Sequence, residues 1–488
     1  MYYIGVDLGS TNWKAAAYNE AMECVAWESI HVAYDRENGA VEFDAQQCVR
    51  DLCGMIRKLT ENGIAPAEIA EISFTGQAES LVILGEDQKP LMNAISWMDE
   101  RPAAECAQLA AKFPQEVYEG ITGQLAVLPT WPATKILWLK HEHPEIFSKA
   151  KTYMLLKDYI VFALSGKMEA DPSIATFSFY FDIYRKAYWK EMLDAIGITE
   201  SQLPPLGEPC TCVGTLLPEI AEKMNLPTSV KVNHGTLDHF AGMIGTGNVK
   251  QGGVSLSTGT VMALATIAGD GKLKDGGVAM HYGFSPNLYI ALPVIESGGA
   301  SLEWFKKTAL ANVSYDEINR IADERTAPGS LVFLPYLVGT NAPEFDSRAT
   351  GVFWGLRQEH DAFDMASAVM EGMACVLRKN CDDMRKKGIR LDSIIATGGG
   401  SKSPVMCQLQ ADFTGLPVII PAQKEAACLG AAMIAAIDCG QFASFEEAAA
   451  KVMHEEKRYE PRPSALIEKK YHRFCALYEA TVAIADIE

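Results

Sequence analysis

The chain has 488 residues, 48% of them apolar and 22% charged, a balance that excludes disordered, fibrous and membrane-embedded classes and allows two or three domains. Its 62 acidic residues against 43 Lys and Arg give a formal charge of -19, which repels nucleic acid and anionic lipid surfaces alike. A nucleotide is not excluded, because a phosphate site needs only a few backbone N–H groups and a metal ion that brings its own charge.

At the start of the chain, Tyr3 to Leu8 is an apolar run ending in Asp7-Leu8, followed by Gly9-Ser10-Thr11-Asn12 and a second apolar run from Trp13 to Tyr18. Strand, polar turn, strand is a β-hairpin. No basic leader followed by an apolar stretch opens the chain and no segment approaches a membrane span, so a cytoplasmic protein is expected. Helical periodicity runs through Ile136 to Leu139 and Asp158 to Leu164, which makes the first half mixed α/β. The glycine-rich stretch Gly245 to Gly253 suits a domain boundary. Directly after it the hairpin grammar recurs, with Gly253 to Ser257, the turn Thr258-Gly259-Thr260, and Val261 to Ala265.

Further on, Met365, Val369, Met373, Val376 and Leu377 define a helix that ends at Arg385-Lys386-Lys387 before Gly388. A strand over 393–397 opens into Gly398-Gly399-Gly400. Then come a helix near 406–413, a strand over 417–420, an alanine-rich helix over 426–437 and a closing helix beyond 463. Twelve cysteines in so long a chain, with no Cys-x-x-Cys pair, read as free thiols in a reducing compartment.

Chemistry concentrates in a few places. A strand ending in Asp7 and feeding Gly9-Ser10-Thr11 has what a phosphate and magnesium site needs: close backbone approach, hydroxyl donors and a carboxylate. The same string also serves simply to reverse a chain. The Gly398-Gly399-Gly400 triplet permits backbone contact with the nucleoside end of a nucleotide, yet it is no Walker A loop, since no Lys-Ser or Lys-Thr follows at the required spacing. In His234-Gly235-Thr236-Leu237-Asp238-His239, Asp238 is a candidate base for a hydroxyl proton, or alternatively a helix N-cap. The two histidines lack a third metal ligand nearby and read as structural.

Taken in order, these pieces resemble the FGGY carbohydrate kinase family. The strongest element is Gly351-Val352-Phe353-Trp354-Gly355-Leu356, continued by Asp364 to Glu371. Gly76-Gln77, Trp97 to Arg101, Lys157-Asp158-Tyr159, Gly398 to Gly400 and Leu429-Gly430-Ala431-Ala432 support it. In the N-terminal signature Lys135 to Leu139 is as expected, while Thr130 and His141 depart from the pattern.

The resemblance implies an α/β fold of two actin-like, ribonuclease-H-like domains, residues 1–246 for sugar and 247–488 for nucleotide, with the cleft between them. It also implies ATP and Mg2+ as cofactors and a small sugar or polyol as the partner molecule, with homodimerisation left open. Asp7 would organise magnesium. Gly9, Ser10, Thr11, Lys14, Gly259 and Thr260 would face the phosphates, Gly399 and Gly400 would lie beside the nucleoside, and Asp238 would be the base.

In xylulokinase-like members Gly-Gln is followed by Met-His, whereas Ala78-Glu79 follows Gln77 here. Glu79 resembles the carboxylate that accepts substrate hydroxyls in glycerol kinases. Gln77, Glu79, Trp97 and Asp238 are therefore the expected substrate contacts, with Asp99 and Arg101 completing the pocket. A ketopentose is the expected substrate, with a polyol of glycerol or erythritol type or a sugar acid as alternatives. A non-catalytic sugar sensor or an ATP-binding conformational module is the alternative of a different class.

Overall fold

A computed structural model describes residues 1–485 apart from 62, 270, 272, 274, 275, 326–328 and 424. The chain forms two compact units. The first comprises residues 1–249, 279–290 and 423–453, and the second comprises residues 250–278, 291–422 and 454–488. The first break, after Val249, falls within the glycine-rich stretch and three residues from the expected boundary at 246/247. Two later segments nevertheless fold with the first half of the chain.

In the first unit, β1 (Tyr2–Leu8) and β2 (Asn12–Tyr18) form the expected antiparallel hairpin. On its other side β1 runs parallel to β3 (Ile69–Gly76), and β3 runs parallel to β4 (Lys231–Leu237). The strand Cys212–Thr215 closes this edge antiparallel to β4. β1 and β3 are buried along almost their whole length, as strands covered by helices are. The helix Ala45–Glu61 packs on this sheet over β2 and the outer strand Cys24–His31. The helix Ala426–Asp438, although it comes from late in the chain, lies on β1 and β3 and on the helix Asp238–Gly245.

Glycine makes that last placement possible. A Cβ on Gly5 would stand 1.9 Å from the Cys428 carbonyl oxygen, and one on Gly430 would stand 1.9 Å from that of Ala241. The backbones are in direct contact, so a side chain at Gly5 would force the helix off β1 and one at Gly430 would force the two helices apart. A smaller antiparallel sheet, Glu42–Phe43, Ala94–Ile95, Leu81–Leu84 and Thr152–Leu155, extends the first unit. Leu81, Ile83, Ile95, Ile136 and Tyr153 pack into a second core there.

The second unit repeats the topology. β5 (Gly252–Thr258) and β6 (Met262–Ile267) form the second hairpin. β5 runs parallel to β7 (Leu391–Gly398), β7 runs parallel to β8 (Val418–Pro421), and Glu455–Tyr459 is antiparallel at the edge. Helices at 362–386, 404–414 and 465–485 stand where the sequence periodicity predicts them. Among the described residues no helix is long and apolar enough to cross a membrane.

A buried polar cluster fastens the end of the helix Ala426–Asp438 to the first sheet. Glu71 on β3 accepts from Asn233 Nδ2 at 2.7 Å and from the Cys439 thiol at 3.3 Å, and Lys231 Nζ reaches Asp438 at 2.9 Å. Burial, then the Asp438 charge, pushes the Glu71 carboxyl from 4.5 up to about 8. The folded state therefore keeps a proton that the unfolded chain releases, and stability falls as pH rises between those values. Glu71→Gln, which mimics the protonated acid, is expected to remove this slope. Thermal denaturation should show the variant gaining on the parent protein steadily from pH 4.5 to about 8, and level with it at the acid end.

Candidate active site

Three parallel strands of the first unit end side by side, with Leu8 opposite Gly76 and Gly76 opposite Leu237. Carboxyl ends of adjacent parallel strands are where α/β sheets hold ligands. Each end leads into residues that the sequence marks for chemistry: Gly9-Ser10-Thr11 after β1, Gln77 and Glu79 after β3, and Asp238 after β4. Only β3 separates the strand carrying Asp7 from the one leading to Asp238.

The electrostatics of these ends is crowded. Burial, then the Asp238 carboxylate, pushes Asp7 from 3.8 up to about 7, against the lowering influence of Lys14. Asp7 Oδ1 is buried with no hydrogen-bond partner among the described residues, which leaves it open to a cation. Asp238 is the first residue of its helix, and its Oδ1 accepts from the His239 N–H at 2.6 Å. A carboxylate at a helix N-terminus is favourably placed, but the N-cap is Leu237, so the capping reading of Asp238 is not borne out.

Glu79 has φ +68°, a conformation uncommon for a non-glycine residue, and its carbonyl oxygen accepts from Lys135 Nζ at 2.9 Å. Lys135 is completely buried. Burial pushes the Glu79 carboxyl up and the Lys135 ammonium down, each charge working against the other's loss, with the Thr130 hydroxyl also favouring the carboxylate. Thr130 and Glu79, two departures from the family patterns, thus act on one another.

Beside them the Trp97 indole N–H donates to Ser10 Oγ at 2.8 Å, and the ring is 36% exposed. Its backbone N–H donates to Ser80 Oγ at 3.0 Å, and Ser80 Oγ in turn donates to Gln77 Oε1 at 2.8 Å. Tyr34, which sequence reasoning missed, donates its hydroxyl to the Ser10 carbonyl at 2.7 Å. Ser10, Gln77, Glu79, Trp97, Asp7 and Asp238 are thereby gathered around the same three strand ends.

One expectation is corrected, that Asp99 and Arg101 complete the substrate pocket. Asp99 is fully buried, and its carboxylate accepts from the Val41 N–H at 2.8 Å and from Arg101 Nε at 2.9 Å. Arg101 also binds Glu42 at 2.6 Å and lies over the Trp138 ring. These two residues tie the small sheet together, and no hydrogen-bonding capacity of Asp99 is left for a substrate. Lys14, expected toward phosphate, is paired with Glu425 at 2.7 Å on a half-exposed surface.

In the second unit Thr258 on β5 stands opposite Gly398 on β7, which brings the Gly259-Thr260 turn and the Gly398-Gly399-Gly400 turn together. Gly398 has φ +79°, and a Cβ there would stand 2.7 Å from the Thr258 carbonyl oxygen. The Gly259 and Thr260 carbonyls accept from the N–H groups of Gly299 and Ala300 at the start of the helix Gly299–Ala309. That glycine pair, 298–299, also went unnoticed in the sequence, although a glycine doublet opening a helix is a readable signal. Among the described residues no group of three or more His, Cys, Asp or Glu could hold a metal ion. A cation at Asp7 would depend on phosphates and water for its other ligands, as magnesium commonly does.

Comparison with known proteins fits this arrangement. Residues 2–245 match the FGGY family of carbohydrate kinases, N-terminal domain, and residues 254–439 match the C-terminal domain of the same family. A xylulose kinase of Lactococcus lactis is 32% identical over 495 residues, covering 99% of this chain and 98% of that protein. Two solved structures from Lactobacillus acidophilus, a ligand-bound xylulose kinase and a gluconate kinase, each superpose with a TM-score of 0.91 at 27% identity. Both cover 100% of this chain, with 99% and 98% of their own chains matched. The chain belongs to the FGGY family of carbohydrate kinases. It has the family's duplicated actin-like fold and is a sugar kinase that uses ATP as phosphoryl donor.

Lys135 Nζ is the donor that satisfies the Glu79 carbonyl oxygen, and removing it leaves that acceptor unpaired. Lys135→Met is expected to cost about 1–3 kcal/mol, and the loss should grow as pH rises above about 7, where the parent's Glu79 gives up its proton while the variant's, without the neighbouring ammonium, keeps it. Adding Glu79→Gln should remove the pH-dependent part of that loss. Denaturant titration of the two single variants and the double variant measures the coupling.

Proposed function

We propose that the protein transfers the terminal phosphoryl group of ATP to a hydroxyl of an uncharged ketopentose of the xylulose type, with Asp238 accepting the hydroxyl proton. The hydroxyl oxygen forms the new bond to phosphorus as the bond to the ADP oxygen breaks, and the proton passes to the carboxylate. The observation that carries this reading is the placement of Asp238 one strand away from Asp7, at strand ends also bearing Gln77 and Glu79.

Asp7 would hold Mg2+ through its unpartnered oxygen, and the ion would neutralise charge on the phosphates. Gly9, Ser10 and Thr11 would supply phosphate contacts, with Lys14 joining them once released from Glu425. In the second unit Gly259 and Thr260 would contact phosphate, and Gly399 and Gly400 would lie beside the nucleoside. Gln77, Glu79 and Trp97 would bind the sugar, Trp97 as a flat wall and Glu79 as a hydroxyl acceptor. The free state of all twelve cysteines supports a reducing, cytoplasmic setting.

The gluconate kinase likeness favours a second reading, a sugar acid as substrate. Against it stands the charge of the site: Asp7, Glu79 and Asp238 are all acidic, and the nearby cations Lys14, Lys135 and Arg101 are engaged by Glu425, the Glu79 carbonyl and the Asp99–Glu42 pair. An anionic substrate would meet repulsion that a polyol or ketose avoids.

ADP release with Mg-ATP and D-xylulose, D-ribulose, glycerol, erythritol or D-gluconate tests the choice. The highest kcat/KM is expected for a pentulose, with gluconate poorest. Asp238→Asn should lower kcat on the order of 10³-fold. Gluconate as the best substrate, or an Asn variant at parental speed, would overturn the proposal, and silence across the panel by a folded protein would favour a sensor.

A further inference from the structure

We infer that Lys157, acting through Asp171, Ser173 and Thr236, is a positioning residue for Asp238, an inference that rests on the base role proposed above. Lys157 lies on the helix Leu156–Ser165 and is completely buried. Its Nζ donates to the His234 carbonyl oxygen at 2.6 Å and stands 2.9 Å from Asp171 Oδ2 and 3.7 Å from Asp158 Oδ1.

The His234 carbonyl is available because β4 is bulged. Its register against β3 jumps between Asn233 and Thr236, and Gly235 in the bulge has φ +65° with no room for a Cβ, which would lie 1.7 Å from the Phe74 carbonyl oxygen. A bulge removes backbone groups from the ladder and re-aims the chain beyond it. An orphaned buried carbonyl is costly unless it finds a donor, and here the donor is a buried ammonium. That charge is itself tolerable only because Asp171 balances it.

Asp171 links the two sides of the bulge. Its carboxylate accepts from the Ser173 N–H at 2.9 Å and from the Ser173 hydroxyl at 2.7 Å, and Ser173 Oγ accepts from Thr236 Oγ1 at 2.9 Å. Thr236 is the residue at which β4 rejoins the ladder, opposite Thr75, and Asp238 comes two residues later. One buried network therefore grips the bulge on its entry side, at His234, and on its exit side, at Thr236. The strand end it fixes is the one that presents Asp238. A general base must stand within hydrogen-bond reach of the proton it takes, and small displacements cost rate steeply.

The test uses Thr236→Val, which is nearly isosteric and removes no charge, together with Lys157→Met, Thr236→Ser and Asp238→Asn in the full chain. Rates are expressed per ATP-binding site, counted by calorimetric titration, so that an unfolded fraction does not register as lost chemistry. Thr236→Val and Lys157→Met are expected to lower kcat by about 10- to 100-fold, with KM for the sugar changed by no more than about twofold. The solvent deuterium isotope effect on kcat should rise above the parental value as proton transfer becomes more limiting, and Thr236→Ser should restore both readouts.

A residue that merely held the fold together would change the number of binding sites and leave the isotope effect alone. Thr236→Val with parental kcat and isotope effect would overturn the inference, and it decides the matter if Lys157→Met does not fold. If Asp238→Asn is inactive while Thr236→Val is unimpaired, positioning falls and the base assignment stands. If Asp238→Asn turns over normally, the base assignment falls, and this inference with it.

Discussion

Acidic groups held near one another at the ends of three adjacent strands are the constraint on which the rest of the first unit depends. Asp7 is buried beside Asp238, and Asp238 in turn is near enough to Glu79 to push that carboxyl up as well. Such an arrangement is unfavourable in isolation and persists only where the surrounding fold over-determines it. Here the parallel register of β1, β3 and β4 fixes where each carboxylate emerges, and buried lysines, Lys135 under Glu79 and Lys157 under the Asp238 strand, anchor the backbone behind two of them. On the function proposed above, the charge left over would give a magnesium-bound nucleotide and an uncharged polyhydroxy compound something to satisfy. Unmet electrostatic demand of this kind is a common signature of a working site.

Duplication supplies the second half of the design. Each unit has a hairpin whose first strand runs parallel to two later strands, and in each the turn after that first strand carries glycine and hydroxyl side chains. The copies have diverged at the next strand end. In the first unit β3 ends in Gly76 and leads to Gln77 and Glu79, polar groups suited to hydroxyls. In the second unit β7 ends in Gly398 and leads to bare glycine backbone suited to a flat nucleoside. One topology thus yields two chemically distinct surfaces.

Much of this was legible in the chain itself because its signals are local. Both hairpins announce themselves by apolar runs around a Gly-Ser-Thr or Thr-Gly-Thr turn, and the long helix over 362–386 by its spacing of Met365, Val369 and Met373. What escaped was set by distant partners. Nothing near residue 430 says that its helix will pack on β1, because the deciding facts are Gly5 and Ala241, far away in sequence. Strands of two residues, such as Glu42–Phe43, carry too little pattern to register.

The charged residues show the same limit. Lys135 and Lys157 would be expected in solvent by composition alone, yet both are fully buried because a carbonyl and a carboxylate await them. Asp99 and Arg101, read as pocket residues, are consumed by each other and by Glu42, which lies on a strand that sequence reasoning did not see. The departures at Thr130 and Glu79 were visible singly. Only the fold reveals that they meet.

The most direct measurement is a crystal structure of the protein with D-xylulose and a non-hydrolysable ATP analogue, read for the separation between the Asp238 carboxylate and the sugar hydroxyl nearest the terminal phosphorus. The account predicts a hydrogen bond of about 2.6–3.2 Å. A hydroxyl that lies against the phosphorus while Asp238 remains out of reach, with Glu79 or a water in its place, would contradict it.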